Sequence, residues 1–296
     1  MKLLGTYQNG NFHVIMLDDG TKIRETEDDD FCPDFAESMD VKITNHCDVG
    51  CSMCHEGSCL QGKHGDIMNE KFIETLHPYQ ELALGGGDIT SHPQLIPFLR
   101  KLKDLKVITN ITVNQKHFEQ KQELIRTLVD ENLIYGIGVS LMNPTPEFIT
   151  MIKQYPNAVI HVINGILSAN DVHKLSNQNL KILILGYKHL RRGNEYFSRA
   201  QSLIEEKQAW LYNHLPQLVD VFKVISFDNL AIEQLDVERL MNKKEWDEFY
   251  MGDDSEFTYY IDMVERKFAK SSTSPVDQRY DLMDSADKMF EKIRKR

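Results

Sequence analysis

The sequence is poor in cysteine, in positive charge and in long apolar runs. Its 296 residues hold five cysteines, four of them between positions 47 and 59 and none beyond 59. An odd, clustered set excludes the spread, paired framework of a small secreted domain and points to metal or redox chemistry in a reducing compartment. No apolar run approaches the roughly 20 residues that a bilayer span demands. The opening stretch, MKLLGTYQNGNF, carries too short an apolar segment for a signal peptide. A soluble, cytoplasmic protein with no membrane partner is the expectation. With 34 Lys and Arg against 45 Asp and Glu, the net charge of −11 excludes a broad nucleic-acid-binding surface. Internal repeats beyond a strand–helix unit, and low-complexity tracts, are absent. What remains is an ordinary globular composition, 41% hydrophobic and 27% charged. The length suits one large α/β domain or two modest ones.

The chain changes rhythm twice. Turn signals at Asn9-Gly10 and Asp19-Gly20 flank FHVIML, so residues 1–35 are expected to form a β meander with strands near 3–7, 12–17 and 21–25. The acidic run from Glu25 to Asp30 reads as a solvated loop. From Met39, short apolar runs alternate with amphipathic stretches. Strands are expected at 39–43, 81–85, 106–113, 135–141, 158–163 and 180–185, with helices near 69–76, 95–102, 120–132 and 147–154. Alternation of this kind implies right-handed crossovers and a parallel sheet. Six such units fit a partial (β/α)6 barrel spanning 36–230, with its chemistry at the carboxyl ends of the strands. A long helix near 194–214 and a seventh strand at 221–227 complete that core. Residues 231–296 read as an extension: a helix, a β-hairpin within 257–271 that is expected to lie outside the barrel sheet and to pair with the meander, a Ser/Thr-rich loop, and a charged helix over 281–296.

The chemistry is concentrated in DVKITNHCDVGCSMCHEGSC, residues 40–59. Cys47, Cys51 and Cys54 form a CxxxCxxC spacing directly after a strand. Three thiolates on one tight loop hold three irons of a cubane and leave the fourth without a protein ligand. Two other readings of the thiols stand beside this one. They form a structural zinc knot with His46, His55 or Cys59 in a non-catalytic binding module, or they are incidental buried or redox thiols. Cys59 is either a spectator or a reactive thiol. After the second strand, LGGGDITSHP (84–93) offers consecutive glycines where a ligand can approach the backbone.

CxxxCxxC after the first barrel strand, with a glycine-glycine-acid motif one unit later, resembles the radical S-adenosylmethionine (AdoMet) superfamily over roughly residues 39–190. The compact core with β additions at both ends is similar to poorly characterised members from bacteria and phages. The resemblance implies a 4Fe–4S cluster on Cys47, Cys51 and Cys54. It also implies reductive cleavage of AdoMet to a 5′-deoxyadenosyl radical, and a reductant such as flavodoxin or ferredoxin. It maps Gly86, Gly87 and Asp88 onto the motif that binds the AdoMet ammonium group, although the family more often has Glu at the last position. A side chain at Gly87 is expected to fill the space of that group. Met53 stands where an aromatic residue is frequent. By the same resemblance Asn114, Ser140, Gly165 and Gly186, at later strand ends, contact AdoMet. The lack of cysteine after 59 counts against a second cluster. The substrate stays open among a small molecule, a nucleotide precursor and a peptide. KHLRRG, residues 188–193, is a basic patch that reads either as a solvated loop or as a carboxylate- or phosphate-binding element. His55, Glu56 and His64 read either as surface residues or as the border of the substrate cavity.

Overall fold

The computed structural model describes residues 2–294. It opens on β1 (Leu3–Asn9), β2 (Phe12–Leu17) and β3 (Lys22–Glu25), an antiparallel sheet in that order. The alternation in β2 buries Phe12, Val14 and Met16, which close a small core of their own against Ile108 and Phe257. Glu25 ends β3, and residues 27–30 are exposed loop, as their charge predicts.

The repeating part follows: β4 (Ser38–Thr44), β5 (Glu81–Gly86), α1 (Leu95–Asp104), β6 (Ile108–Asn114), α2 (Gln115–Gln120), α3 (Gln122–Asp130), β7 (Gly136–Ser140) and α4 (Pro146–Ile152). It continues with β8 (Ala158–Ile163), α5 (Ala169–Leu175), β9 (Lys181–Leu185), α6 (Arg192–Leu218) and β10 (Val224–Phe227). The helices form for local reasons. In α1, Leu95, Phe98, Leu99 and Leu102 fall at helical spacing and all are buried. Thr145 caps α4 with Pro146 at its first turn, and Ser168 with Asp171 builds a capping box on α5. The helix expected at 120–132 is α3, which starts only at Gln122 because Lys121 leaves helical geometry at φ −116°, ψ 35° and parts it from the unexpected α2. The stretch 69–76 holds only a single 3-10 segment, Lys71–Thr75.

The C-terminal part adds α7 (Asn229–Leu235), α8 (Lys243–Phe249), β11 (Thr258–Asp262), β12 (Lys267–Ala269), β13 (Tyr280–Asp281) and α9 (Ala286–Arg294). The last two residues of the helix expected over 281–296 lie outside the described residues, as does Met1 of the meander. The hairpin corrects the sequence reading. It does not lie outside the barrel sheet or pair with the meander: β11 runs parallel to β4, Tyr260 opposite Asp40, and extends the sheet. The physical reason is that β4 would otherwise be an open edge, and both faces of β11 are buried there.

The resulting ten-stranded sheet has the order β10-β9-β8-β7-β6-β5-β4-β11-β12-β13, with β10 through β11 parallel. It curls into a partial barrel. Alternate residues of successive strands (Asp40, Ala83, Asn110, Gly138, His161, Leu183, Ser226 and Tyr260) border one cavity of about 950 Å³. The outward-facing residues, such as Leu82 and Leu84, pack under the helices in the main core. The β2–β3 turn seals the N-terminal mouth of the barrel, where Asn157 Nδ2 donates to the Asp18 carbonyl at 3.1 Å.

Candidate functional site

The cysteine loop leaves β4 at Thr44 and returns at Lys63. Its neck is closed by backbone bonds: Asn45 N to Lys63 O at 2.8 Å, Cys47 N to Cys59 O at 3.0 Å and Cys59 N to Asn45 O at 3.1 Å. Inside the neck, Cys54 N donates to Cys51 O and Gly57 N to Cys54 O, two successive turns that wind the motif tightly. Cys47, Cys51 and Cys54 are half-buried and unbridged, whereas Cys32 and Cys59 are exposed. Burial pushes the Cys47 thiol up, and the neighbouring Cys54, Asp88 and Asp48 add to it. Burial also raises Cys51, with Cys54 and Cys47 adding and Arg192 opposing. All three thiols lie on this one wound loop. A metal bound there reverses the effect, because a coordinating thiol is deprotonated outright. Asn45 Oδ1 and Ser58 Oγ, both buried in this loop, have no hydrogen-bond partner among the described residues. Three thiols on one wound loop, with a Ser58 hydroxyl able to donate to sulfur, fit an iron–sulfur cluster.

The glycine motif is bonded to this loop through its backbone. Gly87 N donates to Thr44 O at 2.7 Å, and Asp88 N to His46 O at 2.6 Å. Gly86 has φ +118°, a conformation that excludes other residues. A Cβ at Gly87 would lie 2.2 Å from the His46 carbonyl oxygen, inside the cysteine loop. Gly85 is the glycine that opens on the cavity, with nothing within 4 Å of a Cβ. Asp88 is buried and already engaged. It caps Thr90, and Lys121 Nζ holds its Oδ2 at 2.9 Å.

Sequence reasoning missed three residues that join the two motifs. His117, 2% exposed, sits between them, with Nε2 2.6 Å from Asp48 Oδ1 and Nδ1 3.4 Å from Asp88 Oδ1. Lys116 takes the other Asp48 oxygen at 2.9 Å. These lysines and the histidine come from α2 and the residue after it, and no spacing in the sequence marked them. Lys42 was equally unmarked. It is buried in the wall and pairs with Glu56 of the cysteine loop and with Asp262 of β11, each at 2.9 Å. Lys42, Asp88, Asn110 and His161 are polar residues at inward positions of strands or their ends. An alternating-strand reading of DVKIT reveals Asp40 and Lys42 as inward-facing.

The other sequence-predicted residues divide. Asn114 caps α2, and its Nδ2 lies 4.0 Å from Cys51 Sγ. Ser140 pairs with Asn114 across β6–β7 and borders the cavity. Gly165 packs against Ile204 and Gln208 of α6, and Gly186 against Leu230 of α7, where its amide donates to Asp228 at 2.8 Å. His55 and Glu56 border the cavity. His64 bonds Thr44 Oγ1 at 2.9 Å on the outer side of the loop neck. In the basic patch, two arginines meet the chain itself, and Arg191 also stands 3.6 Å from the Glu56 carboxylate. Arg192 donates to the carbonyls of Cys51 at 3.0 Å and Ser58 at 2.8 Å, and Arg191 to that of His55 at 3.0 Å. The two arginines clamp the cysteine loop from the start of α6.

No protein-family model matches the sequence, and no curated protein matches it. Solved structures of Streptococcus suis SuiB match the fold at 14% identity. The structure bound to S-adenosylmethionine gives a TM-score of 0.55 over 87% of this chain and 64% of SuiB. The structure bound to the precursor peptide SuiA gives 0.53 over 80% and 60%, and a further SuiB structure gives 0.51 over the same shares. The chain thus spans less than two thirds of the SuiB chain. The likeness establishes the fold alone: a mostly parallel α/β partial barrel, to which this chain adds an N-terminal antiparallel sheet. No helix among the described residues is long and apolar enough to cross a membrane.

Proposed function

We propose that this chain is a radical AdoMet enzyme that binds a 4Fe–4S cluster on Cys47, Cys51 and Cys54 and acts on a substrate held in the barrel cavity. One observation carries the reading: the glycine motif is hydrogen-bonded through its backbone to the wound loop that carries the three half-buried thiols. When bound, the cluster supplies the electron that cleaves the AdoMet sulfonium to methionine and a 5′-deoxyadenosyl radical. The chain's own residues position the partners. Cys47, Cys51 and Cys54 would hold the cluster by three thiolates, and the amino and carboxylate groups of AdoMet would complete it. Because Lys121 already holds Asp88, the backbone carbonyls at 85–87 are left to accept from the AdoMet ammonium group. Asn114 and Ser140 offer polar atoms on the neighbouring strand ends. We further propose a peptide or protein segment as substrate, a reading supported by the SuiB structure bound to a precursor peptide. A flavodoxin or ferredoxin is the proposed electron donor.

Anaerobic reconstitution tests this. The wild type is expected to take up about four irons, and the Cys47→Ala, Cys51→Ala and Cys54→Ala variants to lose them. Cys32→Ala and Cys59→Ala should keep them. After dithionite, chromatography should find 5′-deoxyadenosine from the wild type and none from Cys54→Ala. Full iron content in Cys51→Ala, or equal product from both proteins, overturns the proposal. A second reading rests on a different observation: ligand atoms of Cys47, Asp48 and His117 lie within 4.8 Å of one another. A zinc ion there would use His117 and make the module structural. His117→Ala separates the two, since it would abolish zinc binding but leave three cluster thiolates in place.

A further inference from the structure

The start of α6 lays one guanidinium on the cysteine loop without a counter-ion. Arg191, just before it, has φ 47°, a left-handed backbone that a non-glycine residue adopts at a cost and that persists where the surrounding structure holds it. Gly193 follows, where a Cβ would stand 2.4 Å from the Lys188 carbonyl oxygen, and Tyr187 Oη donates to the Gly193 carbonyl at 2.7 Å. Between these two fixed residues stands Arg192, half-buried. Its Nε and Nη2 reach only carbonyl oxygens, those of Cys51 and Ser58, and it forms no ion pair among the described residues. Other charges around the loop are matched: Asp48 by Lys116, Glu56 by Lys42 and Asp88 by Lys121, each at 2.9 Å. Guanidinium charge is permanent, so Arg192 leaves one uncancelled positive charge at this loop. Cys51 is met by a second donor. Asn114 Oδ1 accepts from the Lys116 amide at 2.9 Å, which turns Nδ2 toward Cys51 Sγ, 4.0 Å away. Among the described residues, Cys51 alone of the three cysteines has a side-chain donor at its sulfur and a cation at its carbonyl.

We propose that Arg192 and Asn114 are positioning residues that act through Cys51 to raise the reduction potential of the cluster. The inference rests on the reading of Cys47, Cys51 and Cys54 as cluster ligands, and it adds what governs electron uptake there. The step is the transfer of one electron from the donor, a flavodoxin or ferredoxin, with no bond made or broken. Reduction adds one negative charge to the cluster. A cation held beside a ligating cysteine favours the reduced form over the oxidised one, and so does an N–H group aimed at its sulfur.

The test uses the full-length protein, reconstituted with iron and sulfide and free of AdoMet. The midpoint potential is read from the paramagnetic resonance signal of the reduced cluster during a redox titration. Arg192→Gln is expected to shift the equilibrium about tenfold toward the oxidised cluster, a fall of about 59 mV for one electron. Arg192→Lys keeps a cation but gives up the two-pronged grip on the loop. Its midpoint should stay close to that of the wild type, while its iron passes faster to a chelator. Asn114→Asp keeps the cap on Lys116 and replaces the donor at sulfur by a carboxylate. It should shift the equilibrium about threefold in the same direction as Arg192→Gln, a fall of about 28 mV. Should Arg192→Gln fail to hold its iron, Asn114→Asp decides: a lowered midpoint upholds the proposal and an unchanged one overturns it. A wild-type midpoint in an iron-loaded Arg192→Gln protein overturns it too. So does an Arg192→Lys midpoint that falls as far as that of Arg192→Gln, which would leave Arg192 a clamp and nothing more. The expected shifts in a protein that makes no 5′-deoxyadenosine sink the AdoMet-cleavage reading and leave this inference standing. A wild type that takes up no iron sinks the cluster reading, and this inference with it.

Discussion

At the N-terminal rim of the barrel, Glu37 is fully buried and holds Lys22 at 2.9 Å and Arg24 at 2.8 Å, while Lys22 also reaches Glu81 at 2.7 Å. At the opposite rim, Lys42 holds Glu56 and Asp262, and His117 bridges Asp48 and Asp88. Both ends use buried charge, but what they tie differs. Below, the charges join two sheets that already have apolar contacts through Phe12, Ile108 and Phe257. Above, they pin a loop in which, from Asn45 to His64, Ser58 alone is buried. A loop with so little apolar packing owes its position to ion pairs, to the Arg192 clamp and to backbone bonds. Charge at the lower rim therefore serves stability, and charge at the upper rim serves the geometry of the thiols.

The largest expected effect lies below. Glu37→Gln leaves Arg24 without its carboxylate and Lys22 with one partner in place of two. Removing one member of a buried ion pair costs about 3–5 kcal/mol. Urea denaturation is expected to show that loss, with the iron content of the folded protein unchanged. A stable variant that loses iron would reverse the assignment of the two rims. Next comes Lys42→Met, which keeps the volume but leaves Glu56 and Asp262 facing each other. We expect a loss of about 3 kcal/mol, seen first as faster release of iron to a chelator and only then as a lower denaturation midpoint. Equal shifts in both measurements would remove the distinction between the rims.

The difference between the rims also governs what the sequence disclosed. Periodicity announced β4 to β9 nearly to their ends, since each strand's pattern is local, and the cysteine spacing announced the upper site. The pairing of β11 with β4 was not legible, because it joins residues more than 200 positions apart and depends on an edge that only the folded barrel has. The joint between the two motifs was hidden for the same reason. His117, Lys121 and Arg192 stand far in sequence from the carboxylates and carbonyls they hold, and each reads by itself as an ordinary charged residue of a helix. At Gly87 the glycine run says that something comes close, without saying that the chain's own His46 carbonyl lies there.

A pair of glycine variants sharpens the comparison within the upper rim. Gly87→Ala places a methyl group against a backbone carbonyl of the cysteine loop, and overpacking of that kind costs about 1–3 kcal/mol. Iron content and AdoMet affinity are expected to fall together. Gly85→Ala meets open space and should leave iron content unchanged. Calorimetry with iron-matched samples checks both, and a Gly85→Ala protein that loses iron would show that the cavity wall and the loop are not separable.

The smallest effect concerns His161, which belongs to neither rim but to the wall between them. Burial lowers its pKa from 6.5 to about 4. Its ring lies across Gly138, where a Cβ would come within 2.1 Å of His161 Cε1, and among the described residues no hydrogen bond holds either nitrogen. The sign follows from proton counting. Between pH 6.5 and about 4 the unfolded chain carries a proton on this imidazole and the folded chain does not, so unfolding takes up a proton and stability falls as the pH falls. The contribution is complete above pH 6.5 and lost by about pH 4. The full shift would be worth about 3 kcal/mol. Because the ring opens on a water-accessible cavity, we expect about 1–2 kcal/mol of it. His161→Gln keeps a polar side chain of similar reach and removes the titration. Its stability relative to the wild type, measured by urea denaturation at successive pH values, should therefore rise by that amount between pH 6.5 and 4 and stay level above 6.5. A difference that does not change with pH would mean that the ring takes up its proton in the folded protein as readily as in water, so that this stretch of the wall is as open to solvent as the rims it separates.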